Sequence, residues 1–340
     1  MTVKKFSPLL RFSTASGWSS QKLLLNLGLG GRMLQNRSGG RIIAYTGVYQ
    51  EMYEQEGKEV PYYPSFVSVE TLETQLSFFK ENFAIVSLQD YYKGMFDENR
   101  LTVSLTFDCG YLNQLKYVLP LLEKYEIPAT FFLTALPASE YLYLWTDFMY
   151  LAKRWVHKSI TIGGEVFKKK DNAFISQQSR ANLEETMLTS DFKYKVLIIN
   201  AFKRNLEFQP LYYPADYHQL MDNEEIRTLA ASPWVTIGSM GYHYNDLSVL
   251  APQKALEELK QSKAWIEGII GKEINIFAFP FGAHSPALLK AAQSAGYSQL
   301  LTHEFLNEED RLIPALRQRL PIHPQLSWKE QLVSLYKGEY

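Results

Sequence analysis

From residue 41 onward the chain alternates short apolar runs with longer segments whose apolar positions recur every three or four residues. A short run of apolar side chains marks a strand covered on both faces, and the wider spacing marks a helix with one buried face. RIIAYT (Arg41 to Thr46), FAIVSL (Phe83 to Leu88), LTVSLTF (Leu101 to Phe107) and ATFFLT (Ala129 to Thr134) read as strands. Between the first two, Ser68 is placed to N-cap a helix with Val69, Leu72, Leu76 and Phe79 on one face. Asn113 to Tyr125 reads as a helix. Late in the chain, Asp222 and Glu225 form a capping box for a helix running to Ala231, and Trp234 to Gly238 follows as a strand. Pro252 to Ile270 is a long amphipathic helix stopped by Gly271. Asn275 to Phe279 is a strand, Ser285-Pro286 opens a helix that Gly296 closes, and Ser298 to Thr302 is a further strand. Repeated strand–helix units imply a parallel sheet, and at this length an α/β barrel is the leading architecture.

The middle of the chain, about 141–213, breaks the rhythm. It predicts helices around Trp145 to Trp155 and Asp191 to Leu206, with a hairpin over ITIGGEVF (Ile160 to Phe167) between them. It reads as an insertion in one barrel loop. The expected organisation is a helical leader over 1–40, a barrel over 41–325 that carries the insertion, and a C-terminal tail over 326–340. No run approaches the roughly 20 apolar residues of a membrane span. Lys4 and Lys5 are followed by Arg11 and a polar stretch from Ser13 to Gln21, which interrupts any signal-peptide apolar region, so a cytoplasmic location is expected.

Charge removes one class of partner. Among 340 residues, 35 Lys and Arg stand against 36 Asp and Glu, so the net charge is -1 and no basic excess is available for nucleic-acid phosphates. A single cysteine, Cys109, excludes a disulfide framework. The 14% aromatic share suits a carbohydrate surface and a large core equally.

The sharpest local feature is LTFDCG, Leu105 to Gly110. An acidic side chain directly after an apolar strand, with glycine behind it, lies at the strand end where barrel active sites are built. An Asp in that position also makes turns or caps the next helix, and spacing alone leaves both readings of Asp108 open.

TFDCG resembles the first motif, Thr-Phe-Asp-Asp-Gly, of the polysaccharide deacetylases, the NodB-homology family of carbohydrate esterases. YLNQLKYVLPLLEKYEIPATFFLTA (Tyr111 to Ala135) is similar to the family's continuation. GSMGYHYNDL (Gly238 to Leu247) resembles the second motif, Gly-Ser-His-Thr-x-x-His-x-x-Leu, and FAFPFG (Phe277 to Gly282) the third. The resemblance runs from about Arg41 to Ile322.

It implies a distorted parallel (β/α) barrel and hydrolysis of N-acetyl amides on a glycan. In that chemistry a divalent metal, held by one Asp and two His, polarises the carbonyl and acidifies a water molecule. A second carboxylate takes the proton, and an imidazole returns one to the departing amine. Carried over residue by residue, Asp108 takes the base position and the backbone N–H of Phe281 the oxyanion position. His323, in RLPIH, is the nearest match to the acid, and an exposed loop histidine is an equal reading. All three ligand positions differ: Cys109 replaces the Asp, and Met240 and Tyr244 replace the two His. Thr46 stands where relatives often carry another His.

His243, between Tyr242 and Tyr244, is the nearest imidazole. It would need a local bulge to become a ligand, so a pocket-lining or solvated histidine is the plainer reading. His284, just before the N-cap Ser285, reads as a solvated turn residue. Cys109 and Met240 are a soft pair suited to copper(I), but they lack a third ligand. As a nucleophile Cys109 lacks a base, and it reads instead as a small half-buried filler.

The expectation is a polysaccharide deacetylase-family protein without the family's Asp-His-His metal mechanism. No cofactor is expected, and a zinc-like divalent ion only if the site is altered. The expected partner is an N-acetylated glycan or glycan precursor, with neither nucleic acid nor a membrane span. The alternatives are a catalytically silent homologue that binds glycan or a partner enzyme, and a deacetylase with an altered site.

Overall fold

The run Thr102–Cys109 is buried along all eight of its residues, which requires cover on both faces of the strand. That cover is a barrel. A computed structural model describes residues 39–338, apart from 52, 56–57, 61–62, 157 and 205–214. The leader expected over 1–40 lies, but for its last two residues, outside the described residues.

Nine parallel strands form one sheet. They are β1 (Gly40–Tyr45), β2 (Ala84–Ile85), β3 (Thr102–Cys109), β4 (Ala129–Leu133), β5 (Val235–Ser239), β6 (Ile276–Ala278), β7 (Gln299–Thr302), β8 (Leu316–Gln318) and β9 (Leu320–Pro321). Their order is β8-β7-β6-β5-β4-β3-β1-β9, with β2 beside the start of β3. The two ends of this path are halves of one chain segment broken at Arg319. β8 pairs with β7, and β9 pairs with β1 through Ile43 opposite Leu320. That segment bridges the seam and leaves a nearly closed (β/α) barrel.

Register explains the core. Tyr45, Phe107 and Phe131 are direct partners on β1, β3 and β4, and their rings stack at 5.2 and 5.0 Å. They face the helix layer, where Leu72, Leu76 and Phe79 of the Val69–Asn82 helix join the same cluster. Alternation then assigns Ser104, Thr106 and Asp108 to the opposite face, toward the barrel interior.

Most predicted elements form, and the departures have local causes. FAIVSL is strand only over Ala84–Ile85, because Ser87 accepts a hydrogen bond from the Asp90 N–H and starts a helix over Leu88–Tyr92. The helix expected from Asn113 opens as a π-turn, Gln114–Val118, before the α-helix Leu119–Tyr125. Pro120 has no N–H to give the preceding turn, which widens instead. The hairpin in the insertion has a third strand, so Ser159–Ile162, Glu165–Lys170 and Ala173–Ser176 form an antiparallel sheet. Gly163 and Gly164, both at positive φ, make its first turn. The insertion packs a cluster of its own around Phe148, Phe167 and Phe202, and Phe281 of the barrel rests against it. The last described helix, Trp328–Lys337, starts at a Ser327–Glu330 capping box and buries Leu332, Val333 and Leu335 in the main core. No helix among the described residues is long and apolar enough to cross a membrane.

Candidate functional site at the barrel mouth

Three motif segments meet at the C-terminal ends of the strands, and each bends its backbone in the same unusual way. Cys109 (φ 76°), Tyr244 (φ 55°) and Phe281 (φ 59°) are three of the seven non-glycine residues with positive φ among the described residues. Gly110, Gly241 and Gly282 are also left-handed there. Such conformations cost about 1–3 kcal/mol each for a residue with a Cβ and persist only where packing enforces them.

Asp108 points inward from β3 and is buried. Arg319, at the break between β8 and β9, reaches it with both guanidinium ends: Nη1 to Oδ1 at 2.5 Å and Nη2 to Oδ2 at 3.1 Å. Burial pushes the Asp108 pKa up, and the guanidinium opposes that shift. The guanidinium also lies 5.2 Å over the Phe132 ring, while its Nε has no partner among the described residues. Nη2 donates to His303 Nε2 at 3.3 Å. Burial and the neighbouring Arg319 charge push the His303 pKa down to about 3, so this imidazole is a neutral acceptor. His323 is half-buried and within electrostatic reach of His303, and burial lowers its pKa. Arg319 thus links His303 to Asp108.

Cys109, Met240 and Tyr244 belong to one apolar cluster with Phe66, Tyr111 and Phe132. The Tyr244 hydroxyl and the Cys109 thiol are neighbours, and burial pushes both pKa values well above their ordinary positions. Cys109 is only 1% exposed, so the half-buried filler expected from the sequence is a fully buried one. Met240 is held by its N–H on the Leu133 carbonyl at 2.8 Å. Thr46 lies close by, and Gln114 Nε2 donates to the carbonyls of both Thr46 and Asp108, at 2.5 and 2.6 Å.

His243 turns toward Glu258 of the Pro252–Ile270 helix. Its Nδ1 lies 2.7 Å from Oε1, and its backbone N–H donates to Oε2 at 2.9 Å. Its ring stacks 4.2 Å from Phe192 of the insertion, and the Tyr242 N–H also reaches Glu258, at 3.2 Å. The network continues to Asn245, whose Nδ2 donates to Glu258 at 2.8 Å and whose Oδ1 accepts from buried Lys195 at 2.5 Å. Lys195 in turn lies 4.3 Å over the Trp145 ring, and its hydrogen bond to Asn245 fastens the insertion to the barrel. Burial lowers the Lys195 pKa to about 7.

His284 corrects its expectation as a solvated turn residue. It is buried, its Nε2 lies 3.0 Å from Asp310 Oδ2, and its Nδ1 lies 3.1 Å from the Gly282 carbonyl. It braces the Phe281–Gly282 bend, while Phe281 packs between Tyr244 and Trp145 at ring distances of 5.0 and 5.9 Å. Among the described residues no group of three or more His, Cys, Asp or Glu side chains is gathered as a metal site.

Sequence reasoning missed Arg319, His303 and Asp147. The first two carried a usable signal: a charged residue directly before the apolar run Leu320 to Ile322, and a histidine directly after the strand Gln299–Thr302. Asp147 comes from the insertion, in the first turn of Trp145–Trp155, and reaches Tyr111 across the fold. Nothing local in the sequence indicates that contact.

Known proteins agree with this architecture. The solved structure of IcaB from Ammonifex degensii superposes with a TM-score of 0.54 at 16% identity, covering 88% of this chain and 98% of that one. The deacetylase PplD of Streptococcus pyogenes, solved with acetate, gives a TM-score of 0.52 at 16% identity, covering 87% and 97%. A search of curated proteins returns no match to this chain. The sequence profile described as polysaccharide deacetylase matches residues 97–300, more than half of the chain and all three motif segments. With the barrel and the motif geometry above, that match makes this chain a member of the polysaccharide deacetylase family.

Proposed function

We propose that this protein binds amino-sugar glycans at the barrel mouth and does not hydrolyse them by the family's metal mechanism. The observation that carries the reading is the neutral cluster of Cys109, Met240 and Tyr244, in which the phenol stands beside the thiol. A divalent ion of the zinc type is held by thiolate, imidazole or carboxylate donors. Here the thiol and the phenol are both shifted by burial toward their neutral forms, and a thioether is a weak donor for such an ion. These side chains do not fit the metal. Asp108, in the base position, has both oxygens engaged by Arg319, so neither is turned to a water molecule. The half-buried aromatic side chains Tyr63, Tyr244 and Phe281 are suited to the faces of sugar rings.

The test uses oligomers of N-acetylglucosamine with the full chain, with and without added zinc, and reads both binding heat and acetate release. Binding without acetate above the buffer blank is expected. Zinc-dependent release of acetate would overturn the reading. Silence toward every glycan tested would favour a homologue that binds a partner protein.

A further inference from the structure

The insertion delivers a second carboxyl to the barrel mouth, and its surroundings differ from those of Asp108. Asp147 is 2% exposed. Its Oδ2 accepts from the Tyr111 hydroxyl at 2.7 Å, and its Oδ1 has only a long contact with the Thr146 hydroxyl at 3.4 Å. No Lys, Arg or His side chain among the described residues forms an ion pair with it. A chain of aromatic rings leads away from its phenol partner instead. Tyr111 packs edge-on against Phe66 at 5.0 Å, Phe66 meets Tyr63 at 6.3 Å, and Tyr63 meets Tyr150 at 5.6 Å. Asp147 lies within electrostatic reach of Tyr63, Tyr111 and the Cys109 thiol, so this group adjoins the family's metal-ligand position.

A buried carboxylate without a cation is costly, and aromatic faces attract cations. Together they make a site that lacks only its positive charge. We infer that Asp147, with its partner Tyr111 and the linked rings of Phe66, Tyr63 and Tyr150, receives the free ammonium group of a de-N-acetylated amino sugar. The inference rests on the glycan-binding reading above and narrows it. An N-acetyl amide carries no charge to offer Asp147, whereas the amine does. Tyr63 and Tyr150, at the far end of the ring chain, are half-buried and so partly exposed to solvent. The contact positions the ligand, and no bond is made or broken.

The experiment titrates the full chain at pH 7 with three probes: a glucosamine hexamer, an N-acetylglucosamine hexamer, and putrescine as an amine without a sugar ring. The wild type should bind the glucosamine hexamer at least tenfold more tightly than the other two. Asp147→Asn, the same shape without the charge, should bring the two hexamers within about twofold of each other. Independently of that variant, the Asp147 carboxyl carbon, followed by NMR in the wild type, should move toward its ionised position as the glucosamine hexamer is added. Equal binding of the two hexamers, an amine preference that survives in Asp147→Asn, or an unmoved carboxyl signal would overturn the inference and leave glycan binding standing. Putrescine binding as tight as the amino sugar would overturn the sugar assignment. Failure of both hexamers to bind would overturn this inference and the glycan reading together.

Discussion

Asp108 and Asp147 reach the same barrel mouth from different parts of the chain, and the protein treats their charges in opposite ways. Asp108 belongs to the barrel. It stands near the end of β3, and the segment that closes the barrel seam supplies Arg319 to both of its oxygens. Asp147 belongs to the insertion and meets a phenol and a more distant hydroxyl. Burial does not separate the two, since they are 5% and 2% exposed; the presence of a cation does. The barrel balances the charge on its own strands, and the insertion adds one that the barrel leaves unbalanced. In a family whose chemistry gathers charge around a metal, this divides the mouth into a closed polar pair, a neutral cluster of Cys109, Met240 and Tyr244, and a carboxyl held by a phenol.

The sharpest way to break this comparison is to make Asp108 resemble Asp147. Arg319→Met strips the carboxylate of its cation while keeping most of the side-chain volume. Removing one partner of a buried ion pair costs about 3–5 kcal/mol, because the remaining charge is left uncompensated. Urea unfolding at pH 7 should register a loss of that size, and Asp108→Asn combined with Arg319→Met should recover part of it. A loss below about 1 kcal/mol would mean that the pair does not hold the seam as described.

The converse change removes the unbalanced charge. Burial raises the Asp147 pKa from 3.8 to about 7, so folding favours its neutral form. The resulting stability is complete below the unfolded value near 3.8 and is lost as pH rises through about 7. Asp147→Asn cannot ionise. It should be more stable than wild type at pH 8 by about 2–4 kcal/mol, a gap that closes toward pH 4. Melting curves at several pH values read this directly, and a gap independent of pH would show that Asp147 keeps its charge at no cost.

How much of this was legible in the sequence follows the range of the forces involved. Elements fixed by neighbours along the chain were readable. The Asp222–Glu225 capping box, the helix Pro252–Ile270 with its Gly271 stop, and the N-cap at Ser68 form as their residues dictate. The three motif segments do meet at one end of the barrel. What escaped depends on contacts across the fold. Arg319 and Asp108 are 211 positions apart, and Tyr111 and Asp147 are joined only once the insertion docks. His243 and His284 were visible as histidines, yet their partners Glu258 and Asp310 come from other turns of the fold. A neighbouring residue in the sequence cannot report which carboxylate will claim an imidazole.

The neutral cluster is the centre of the account, and zinc tests it most directly. Thermal unfolding of the purified full chain should be followed as zinc is added, alongside elemental analysis of the untreated protein. Wild type should carry no stoichiometric zinc, nickel or cobalt, and its melting temperature should not move. The triple variant Cys109→Asp, Met240→His, Tyr244→His supplies the donor types those positions lack. It should melt below wild type without metal and rise with zinc, because binding to the folded state alone stabilises it in proportion to the logarithm of ligand over dissociation constant. One ion per wild-type chain, lost on Asp108→Ala or His243→Ala, would contradict the account, and a folded triple variant indifferent to zinc would show that these three positions do not converge on a metal site.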